Sequence, residues 1–142
     1  MKAFSEQQRQ SFLADPRVGV LSVATSDGRP PASAPIWYDY TADGTILVST
    51  GAKSRKARLI EQAGAFTLTV QREEPPYQYV TVEGTVVDTT SPVPDDVQLA
   101  IAVRYLGEQG GQAFVEQMRG VENVLYTVRP DRWITADFSD EI

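Results

Sequence analysis

Two Asp-Gly pairs, each standing between short β-prone runs, constrain the fold of this chain more than any other feature. Asp27-Gly28 separates an apolar run, residues 18–25, from an aromatic-rich run, residues 31–40, and Asp43-Gly44 separates that run from residues 45–50. Asp-Gly is a strong signal for a tight hairpin, because the turn needs residues that tolerate a positive φ. Three antiparallel strands in close succession are therefore predicted.

Further β-rich runs follow along the chain. Residues 65–72 alternate apolar side chains with threonine, residues 77–88 contain a glycine that predicts a bend, and residues 124–128 and 133–136 are expected to pair as a last hairpin. About six short antiparallel strands with few, peripheral helices are typical of a mainly β fold. We expect a closed or nearly closed β-barrel rather than alternating β and α units.

Helices are expected at the periphery of this barrel. Ser5 can cap a short amphipathic helix over residues 5–15, a second helix is predicted over residues 54–62, and a helical insertion covers about residues 94–119. Gly107 and the pair Gly110-Gly111 are expected to break the insertion. A length of 142 residues with 42% hydrophobic residues predicts a single domain, residues 1–142.

The composition excludes much chemistry. The chain has no cysteine and no histidine, which removes disulfides, thiolate nucleophiles, Ser-His-Asp triads and Cys/His zinc sites, and we expect no metal site. A net charge of -6 argues against a general nucleic-acid binder. Apolar runs are too short to cross a bilayer and the N-terminus has no export signal, so a cytoplasmic protein is expected.

A basic cluster stands at the start of the second predicted helix. Residues 53–58 carry four cations, Lys53, Arg55, Lys56 and Arg58, where the positive end of the helix dipole disfavours them. A bound anion such as a phosphate would offset this cost, because free backbone N–H groups, the Ser54 hydroxyl and the cations together form an anion site. The alternative is a solvated basic face that pairs with nearby acids such as Glu61.

An aromatic segment forms the second feature. Trp37 and Tyr38 are expected on opposite faces of a strand, one in the barrel and the other at a cleft or partner, although both could be ordinary core aromatics. Pro35 cannot donate to a sheet and so indicates an edge or a bulge. Thr50 could place a hydroxyl on a phosphate or a ring edge, or be a plain strand residue.

These residues carry a family resemblance. Residues 28–31, 35–38, 43–44, 50, 54–56 and 82–84 together resemble the split β-barrel superfamily of pyridoxamine-phosphate oxidases, and the likeness covers most of residues 10–90 and, more weakly, residues 130–133. The short chain, the Leu106-Gly107 helix ending and the Pro-x-Arg-Trp close are most similar to the actinobacterial deazaflavin-dependent reductases, which use coenzyme F420. The Ser-Arg-Lys order is as close to the FMN oxidases.

The resemblance implies roles for individual residues. Ser54, Arg55 and Lys56 would hold the cofactor phosphate, with Arg58 nearby. The cofactor ring would be lined by Pro35, Ile36 and Trp37, and the ribityl-phosphate region would contact Thr50. Because members of the superfamily are homodimers with two sites between subunits, four residues are expected to reach the partner's cofactor: Tyr77, Gln78, Tyr79 and Trp133.

The chain also departs from the oxidase pattern. It lacks the arginine-histidine element that holds the vitamin B6 substrate, since its C-terminal tail, residues 137–142, contains neither residue type. Ala34 also stands where the oxidases place an arginine that contacts FMN. We therefore expect no pyridoxamine-phosphate oxidation.

The expected activity is hydride transfer from reduced F420 to an activated C=C or C=O of a small hydrophobic molecule. Tyr38, Tyr79 or solvent would supply the proton. The alternatives are an FMN-dependent oxidoreductase of the same fold and a non-catalytic cofactor-binding dimer.

Overall fold

Seven β-strands form one antiparallel sheet in the computed structural model, which describes residues 1–141; Ile142, the end of the predicted domain and tail, lies outside the described residues. The strands are β1 (Gly19–Val23), β2 (Ala32–Ile36), β3 (Tyr38–Tyr40), β4 (Ile46–Gly51), β5 (Ala65–Arg72), β6 (Gln78–Thr90) and β7 (Asn123–Asp137). The α-helices of this described part are α1 (Glu6–Ala14), α2 (Arg55–Ala63) and α3 (Asp95–Gln117), and Ser139–Glu141 forms a 3-10 turn. The mainly β class is confirmed.

The order of the strands makes the sheet a split barrel. The strands run β2-β1-β5-β6-β7-β4-β3, so β2 and β3 are the two edges, yet only Trp37 separates them in the chain. The sheet must therefore curl until its edges approach each other. Between the edges the Tyr105 hydroxyl accepts a hydrogen bond from the Tyr38 N–H (3.1 Å) and donates one to the Arg17 carbonyl (2.9 Å). A side chain of α3 thus satisfies backbone groups at the split.

The two predicted hairpins with Asp-Gly turns are confirmed. The single strand predicted over residues 31–40 is wrong, because the chain breaks at Trp37 into β2 and β3 at opposite edges of the sheet, and the predicted last hairpin is also wrong. Residues 123–137 form one continuous strand, β7, which pairs with β4 through its first half and with β6 along its length. The Arg129-Pro130-Asp131-Arg132 segment is not a turn: Glu83 pairs with Arg132 and Gly84 with Pro130, so that Asp131 is the extra residue of a bulge. The predicted bend at Gly84 is confirmed as this register shift.

Alternate residues of the strands point into the barrel, and α1 and α2 pack against this interior. Phe12 and Leu13 of α1 are buried in the same core cluster as Leu59 and Ile60 of α2. A buried tyrosine holds each helix to the barrel. The Tyr38 hydroxyl donates to the carbonyl of Leu13 (2.9 Å), and the Tyr126 hydroxyl donates to that of Ala57 (3.3 Å).

The helix α3 lies on the outer side of the sheet and is bent. Gly107 has φ 78°, so residues 95–106 and 108–117 are two helical segments joined at a kink, and the predicted break at this glycine is confirmed. The predicted break at Gly110-Gly111 is wrong, since both residues lie within the second segment. Gly111 is buried there, and a Cβ on it would fall 2.6 Å from Val103 Cγ2. Across residues 1–141, no helix combines the length and apolarity that crossing a membrane requires.

The bulge gives a first prediction. A Cβ at Gly84 would lie 2.5 Å from Val128 Cγ1 and 3.1 Å from the Arg129 carbonyl oxygen, and the backbone there cannot shift without disturbing β7. Gly84→Ala should therefore lower the free energy of unfolding by about 1–3 kcal/mol in urea titrations. Glu83→Ala, at the exposed neighbouring residue, is the control and should change it by less than about 0.5 kcal/mol. Equal effects would contradict the steric argument.

Candidate functional site

The start of α2 has the geometry of an anion site. Ser54 is the N-cap residue, with an extended backbone, and its hydroxyl accepts a hydrogen bond from the Ala57 N–H (3.1 Å). Arg55 and Arg58 are exposed, and Lys56 is half-buried. No acidic residue lies in the first turn of α2. Positive side chains therefore surround the positive end of the helix dipole.

Three of the four cations in this cluster do not pair with acids in the part of the chain that the structure describes. Within residues 1–141, no carboxylate oxygen lies within 4.0 Å of the charged nitrogens of Arg55, Lys56 or Arg58, and only Lys53 approaches an acid, Glu122, at 4.0 Å. The pairing with Glu61 is not formed within the described residues, whereas the exposure of Arg55 and Arg58 agrees with the solvated face of that alternative. Among the residues described, no carboxylate therefore offsets the electrostatic cost of Arg55, Lys56 and Arg58, although Arg58 donates a hydrogen bond to the Lys53 carbonyl (3.5 Å).

An outer line along β4 leads from this cluster to the groove described below. Ile46 and Val48 point into the barrel, so the alternating residues Ser49 and Gly51 lie on the outer side. A Cβ on Gly51 would lie 3.9 Å from the Cβ of Ser54, which places the helix start directly beside this line.

Thr50 does not share that side. It pairs with Val124, a core residue, and lies half-buried on the interior-facing side of β4. The strand alternation therefore replaces Thr50 with Ser49 as the β4 hydroxyl on the outer line.

The outer line ends at a groove beside the split. The groove has a volume of about 310 Å³ and is lined by Val18, Pro35, Ile36, Trp37, Ser49 and Phe114. All three residues predicted to line a cofactor ring are thus brought together. The indole of Trp37 stacks on the ring of Tyr105 with a centroid separation of 5.0 Å, which fixes its orientation.

A smaller cavity, partly open to solvent, adjoins the groove between α3 and the outer face of the sheet. Its volume is about 170 Å³, and it is lined by Trp37, Ser49, Gln98, Ile101, Ala102, Phe114, Met118 and Asn123. Sequence reasoning missed Ser49, Gln98, Phe114 and Asn123 as site residues. For Ser49 a signal was available, because side chains alternate between the two faces of a strand. Ser49 lies two residues before Gly51 and therefore on the same face. The α3 residues gave none, because the kink at Gly107 decides what they cover.

The structure places the two tyrosines proposed as proton donors differently. Tyr38 is fully buried, its hydroxyl donates to the Leu13 carbonyl, and burial raises its pKa well above the ordinary value. It faces α1 rather than the groove, so Tyr38 is not retained as a proton donor. Tyr79 is half-buried on the outer face of β6, with its ring 6.5 Å from that of Phe138.

The residues expected to reach a partner subunit also differ in where the structure places them. Tyr77 is 52% exposed, and Gln78 lies beside it at the start of β6, paired with Asp137. Trp133 instead packs within its own chain, with the Arg9 guanidinium 4.2 Å from its ring centroid and Tyr40 edge-on at 6.5 Å. Trp133 pairs with Val82 on the interior side of the sheet, and for this reason we do not retain it as a cross-subunit contact.

The position of Tyr38 gives a second prediction. Because the native state raises its pKa, the unfolded chain loses the proton first, and stability should be full below about pH 10 and fall as the pH rises further. Tyr38→Phe should lower the unfolding free energy by about 1–2 kcal/mol near neutral pH and flatten the alkaline decline. Tyr77→Phe, at an exposed tyrosine, should do neither. An unchanged alkaline slope in Tyr38→Phe, measured by urea titration at several pH values, would contradict this assignment.

Comparisons with known proteins identify the family. The family model described as pyridoxamine 5'-phosphate oxidase matches residues 5–135. No curated protein matches the chain. Among solved structures, the chain is similar to an F420 reductase at 25% identity, with a TM-score of 0.68, covering 88% of this chain and 94% of that chain.

Two further solved structures share the fold. A conserved hypothetical protein from Mycobacterium tuberculosis is 22% identical with a TM-score of 0.74, covering 95% of this chain and 86% of that one. An FAD-binding protein from Mesorhizobium loti is 16% identical with a TM-score of 0.66, covering 94% and 93%. The resemblance inferred from the sequence is confirmed, and the fold is that of oxidoreductases with flavin-type cofactors. The chain belongs to the pyridoxamine 5'-phosphate oxidase family.

Proposed function

We propose that this protein is an F420-dependent reductase that transfers hydride from the reduced deazaflavin to an activated C=C or C=O of a small hydrophobic molecule. One observation carries the proposal: at the α2 start, three cations that have no acidic partner within residues 1–141 lie on the same outer line as an aromatic groove. A phosphate-bearing cofactor with a flat ring needs those two features side by side. The similarity to an F420 reductase over 88% of the chain favours the deazaflavin.

The residues present fit such a cofactor. Ser54, Arg55 and Lys56 would hold its phosphate, with Arg58 beside them, because the helix start offers backbone N–H groups and charged donors together. Pro35, Ile36 and Trp37 would border its ring. In place of the predicted Thr50, we propose Ser49 for the stretch between phosphate and ring, since its hydroxyl is on the outer side of β4.

When bound, the reduced cofactor would supply a hydride, and one proton completes the two-electron reduction of the substrate. The chain contributes position rather than acid-base groups, in keeping with its lack of histidine. Trp37, held against Tyr105, and Phe114 would keep the ring side of the groove apolar and exclude water. Solvent or Tyr79 would provide the proton, the tyrosine being supplied by a partner subunit.

The outer face of the sheet is suited to a homodimer. Register places one outward residue from each of five strands in a row, namely Pro35, Val20, Thr69, Thr81 and Ile134. Val20 is 43% exposed and Ile134 is 39% exposed, and the Thr69 and Thr81 hydroxyls between them are 3.1 Å apart. Pro35 also lines the groove. A partner docked on this row would therefore cover the cofactor and bring Tyr77, Gln78 and Tyr79 near it.

The proposed dimer gives a third prediction. Val20→Lys combined with Ile134→Lys should convert a dimer to a monomer in light scattering, because two buried charges would have to be desolvated at the interface. Val87→Lys replaces a valine that is equally exposed but lies outside the row and is the matched control. A dimer that survives the double substitution would place the interface elsewhere.

The function is tested first on the ligand that copurifies with the full chain. Mass spectrometry and the absorbance spectrum of the extracted ligand separate F420 from FMN, and FMN would favour the alternative oxidoreductase. The oxidation of reduced F420 is then followed with enones, quinones and tetrapyrroles as acceptors. No acceleration with any acceptor, despite tight F420 binding, would leave a non-catalytic cofactor-binding dimer.

A further inference from the structure

Three spaces of the molecule are connected in series. The cavity under α3 shares Trp37, Ser49 and Phe114 with the groove proposed for the cofactor ring. At its other end it shares Gln98, Met118 and Asn123 with a wider outer groove. That outer groove is bordered by residues 92–95 and 118–123. The cavity therefore adjoins the ring site on one side and the outer groove on another.

The lining of the cavity limits what it can hold. Five of its residues are apolar or aromatic, three are neutral polar residues, Ser49, Gln98 and Asn123, and none of the described residues that line it is charged. A charged ligand would be desolvated there without an ionic partner. The volume of about 170 Å³ is close to that of an engineered apolar cavity that binds benzene. It accepts a molecule of about one six-membered ring.

We propose that this cavity is the substrate pocket, and that it selects uncharged, single-ring molecules with a conjugated carbonyl group. The inference rests on the proposed reductase function and names the substrate class of the same site. The amide N–H groups of Gln98 or Asn123 donate to the carbonyl oxygen at the entrance end. The ring then extends toward Trp37 and Phe114, and the C=C bond reaches the wall shared with the cofactor groove.

The chemistry of such a substrate balances with the proposed activity. Hydride from the reduced cofactor forms a C–H bond at the β-carbon, the C=C π electrons move toward the carbonyl, and a proton from water is taken up at the α-carbon. The products are the saturated ketone and the oxidised cofactor. Hydrogen bonds to the carbonyl oxygen from an amide side chain stabilise the negative charge that develops there.

Binding is tested without turnover, using cyclohexenone as the probe. The full chain with Trp133→Phe leaves Trp37 as its single tryptophan, so that its fluorescence reports on the cavity wall. Saturable quenching by cyclohexenone is expected. Cyclohexanecarboxylate, which has a similar ring but a charge, should bind at least about tenfold more weakly. Equal binding of the two probes would overturn the proposed selectivity.

Two variants locate the binding. Ala102→Leu fills the cavity from the buried side of α3 and should weaken cyclohexenone binding at least about tenfold, whereas Ala100→Leu, at an exposed position of the same helix, should not. Ala102→Val serves in place of Ala102→Leu if the larger side chain unfolds the protein. Gln98→Leu should weaken binding of cyclohexenone but not of cyclohexene. Unchanged binding in the Ala102 variants would place the ligand elsewhere.

The two proposals fail in different ways. If cyclohexenone binds in the cavity but neither it nor any other acceptor accelerates oxidation of reduced F420, the reductase is refuted and the cavity stands as a binding site for uncharged rings. Turnover of cyclohexenone with the same KM in Ala102→Leu as in the unchanged protein would support the reductase and refute the pocket.

Discussion

Replacing Arg55 and Lys56 together with glutamine should weaken binding of the phosphate-bearing cofactor about a hundredfold or more. Each side chain is expected to donate a charge-assisted hydrogen bond to the phosphate, and such bonds are worth about 1.5–3 kcal/mol each. Partial exposure of both residues reduces this sum, and about 3 kcal/mol in total corresponds to the expected loss. Ser54 stays unchanged in this variant, so the helix cap remains intact.

The same substitution should leave the cofactor-free protein as stable as before, or slightly more stable. Cations at the start of a helix oppose its dipole, and their removal is worth a few tenths of a kcal/mol. Loss of affinity with retained or increased Tm would separate a binding role from a structural one. Calorimetric titration with F420 and with FMN measures the affinity.

The control for this prediction is a cation outside the site. Arg119→Gln removes an exposed arginine that pairs with Glu116 and should leave cofactor affinity unchanged. The affinity of the unchanged protein should also fall with added salt, since the phosphate contact is partly exposed. If the Arg55 and Lys56 substitutions change neither the F420 nor the FMN affinity, the phosphate does not bind at α2.

The fold was predictable where its signals are local. Each Asp-Gly turn contains the residue that its backbone needs, with Gly28 at φ 79° and Gly44 at φ 88°, so the two hairpins follow from short stretches of sequence, although the break at Trp37 between them does not. The strand β7 was misread because Arg129-Pro130-Asp131-Arg132 resembles a turn. What keeps it extended is a glycine on another strand, Gly84, which opens the bulge that takes up Asp131. No short stretch of sequence around Pro130 contains that information, because Gly84 lies on another strand.

The candidate site, like the fold, was predictable only where its signals are local in the sequence. The charge cluster at the α2 start lies within six residues and could be recognised directly. Alternation predicted that Trp37 and Tyr38 face opposite sides, which the burial of Tyr38 and the half-exposure of Trp37 agree with. The alternation could not predict which of the two side chains faces the interior of the barrel, because that depends on where α1 packs. The wall formed by Phe114 depends in turn on the kink at Gly107.

One side chain of α3 holds together three elements around the split. Arg104 donates to the carbonyls of Leu13 (2.7 Å), Ala14 (2.9 Å) and Asp15 (3.0 Å), which lie at the C-terminal end of α1. Its guanidinium also lies 3.8 Å from an Asp39 carboxylate oxygen on β3, and its side chain is only 13% exposed. A positive charge at a helix C-terminus is favoured by the dipole as well.

Arg104→Met should therefore lower the free energy of unfolding by about 2–4 kcal/mol, because it removes three hydrogen bonds at the end of α1 and the charged partner of a half-buried carboxylate. The Leu13 carbonyl keeps its bond from the Tyr38 hydroxyl and the Asp15 carbonyl keeps its bond from the Arg17 N–H, which limits the loss. Arg104→Lys should recover part of the loss, since one ammonium group can reach fewer of the acceptors. Arg119→Met removes an arginine that is 74% exposed and paired with Glu116, and should cost less than about 1 kcal/mol. Urea titration measures all three variants. If Arg104→Met and Arg119→Met prove equally mild, α1 is held to the barrel by Phe12, Leu13 and the Tyr38 hydroxyl alone, and the split does not depend on Arg104.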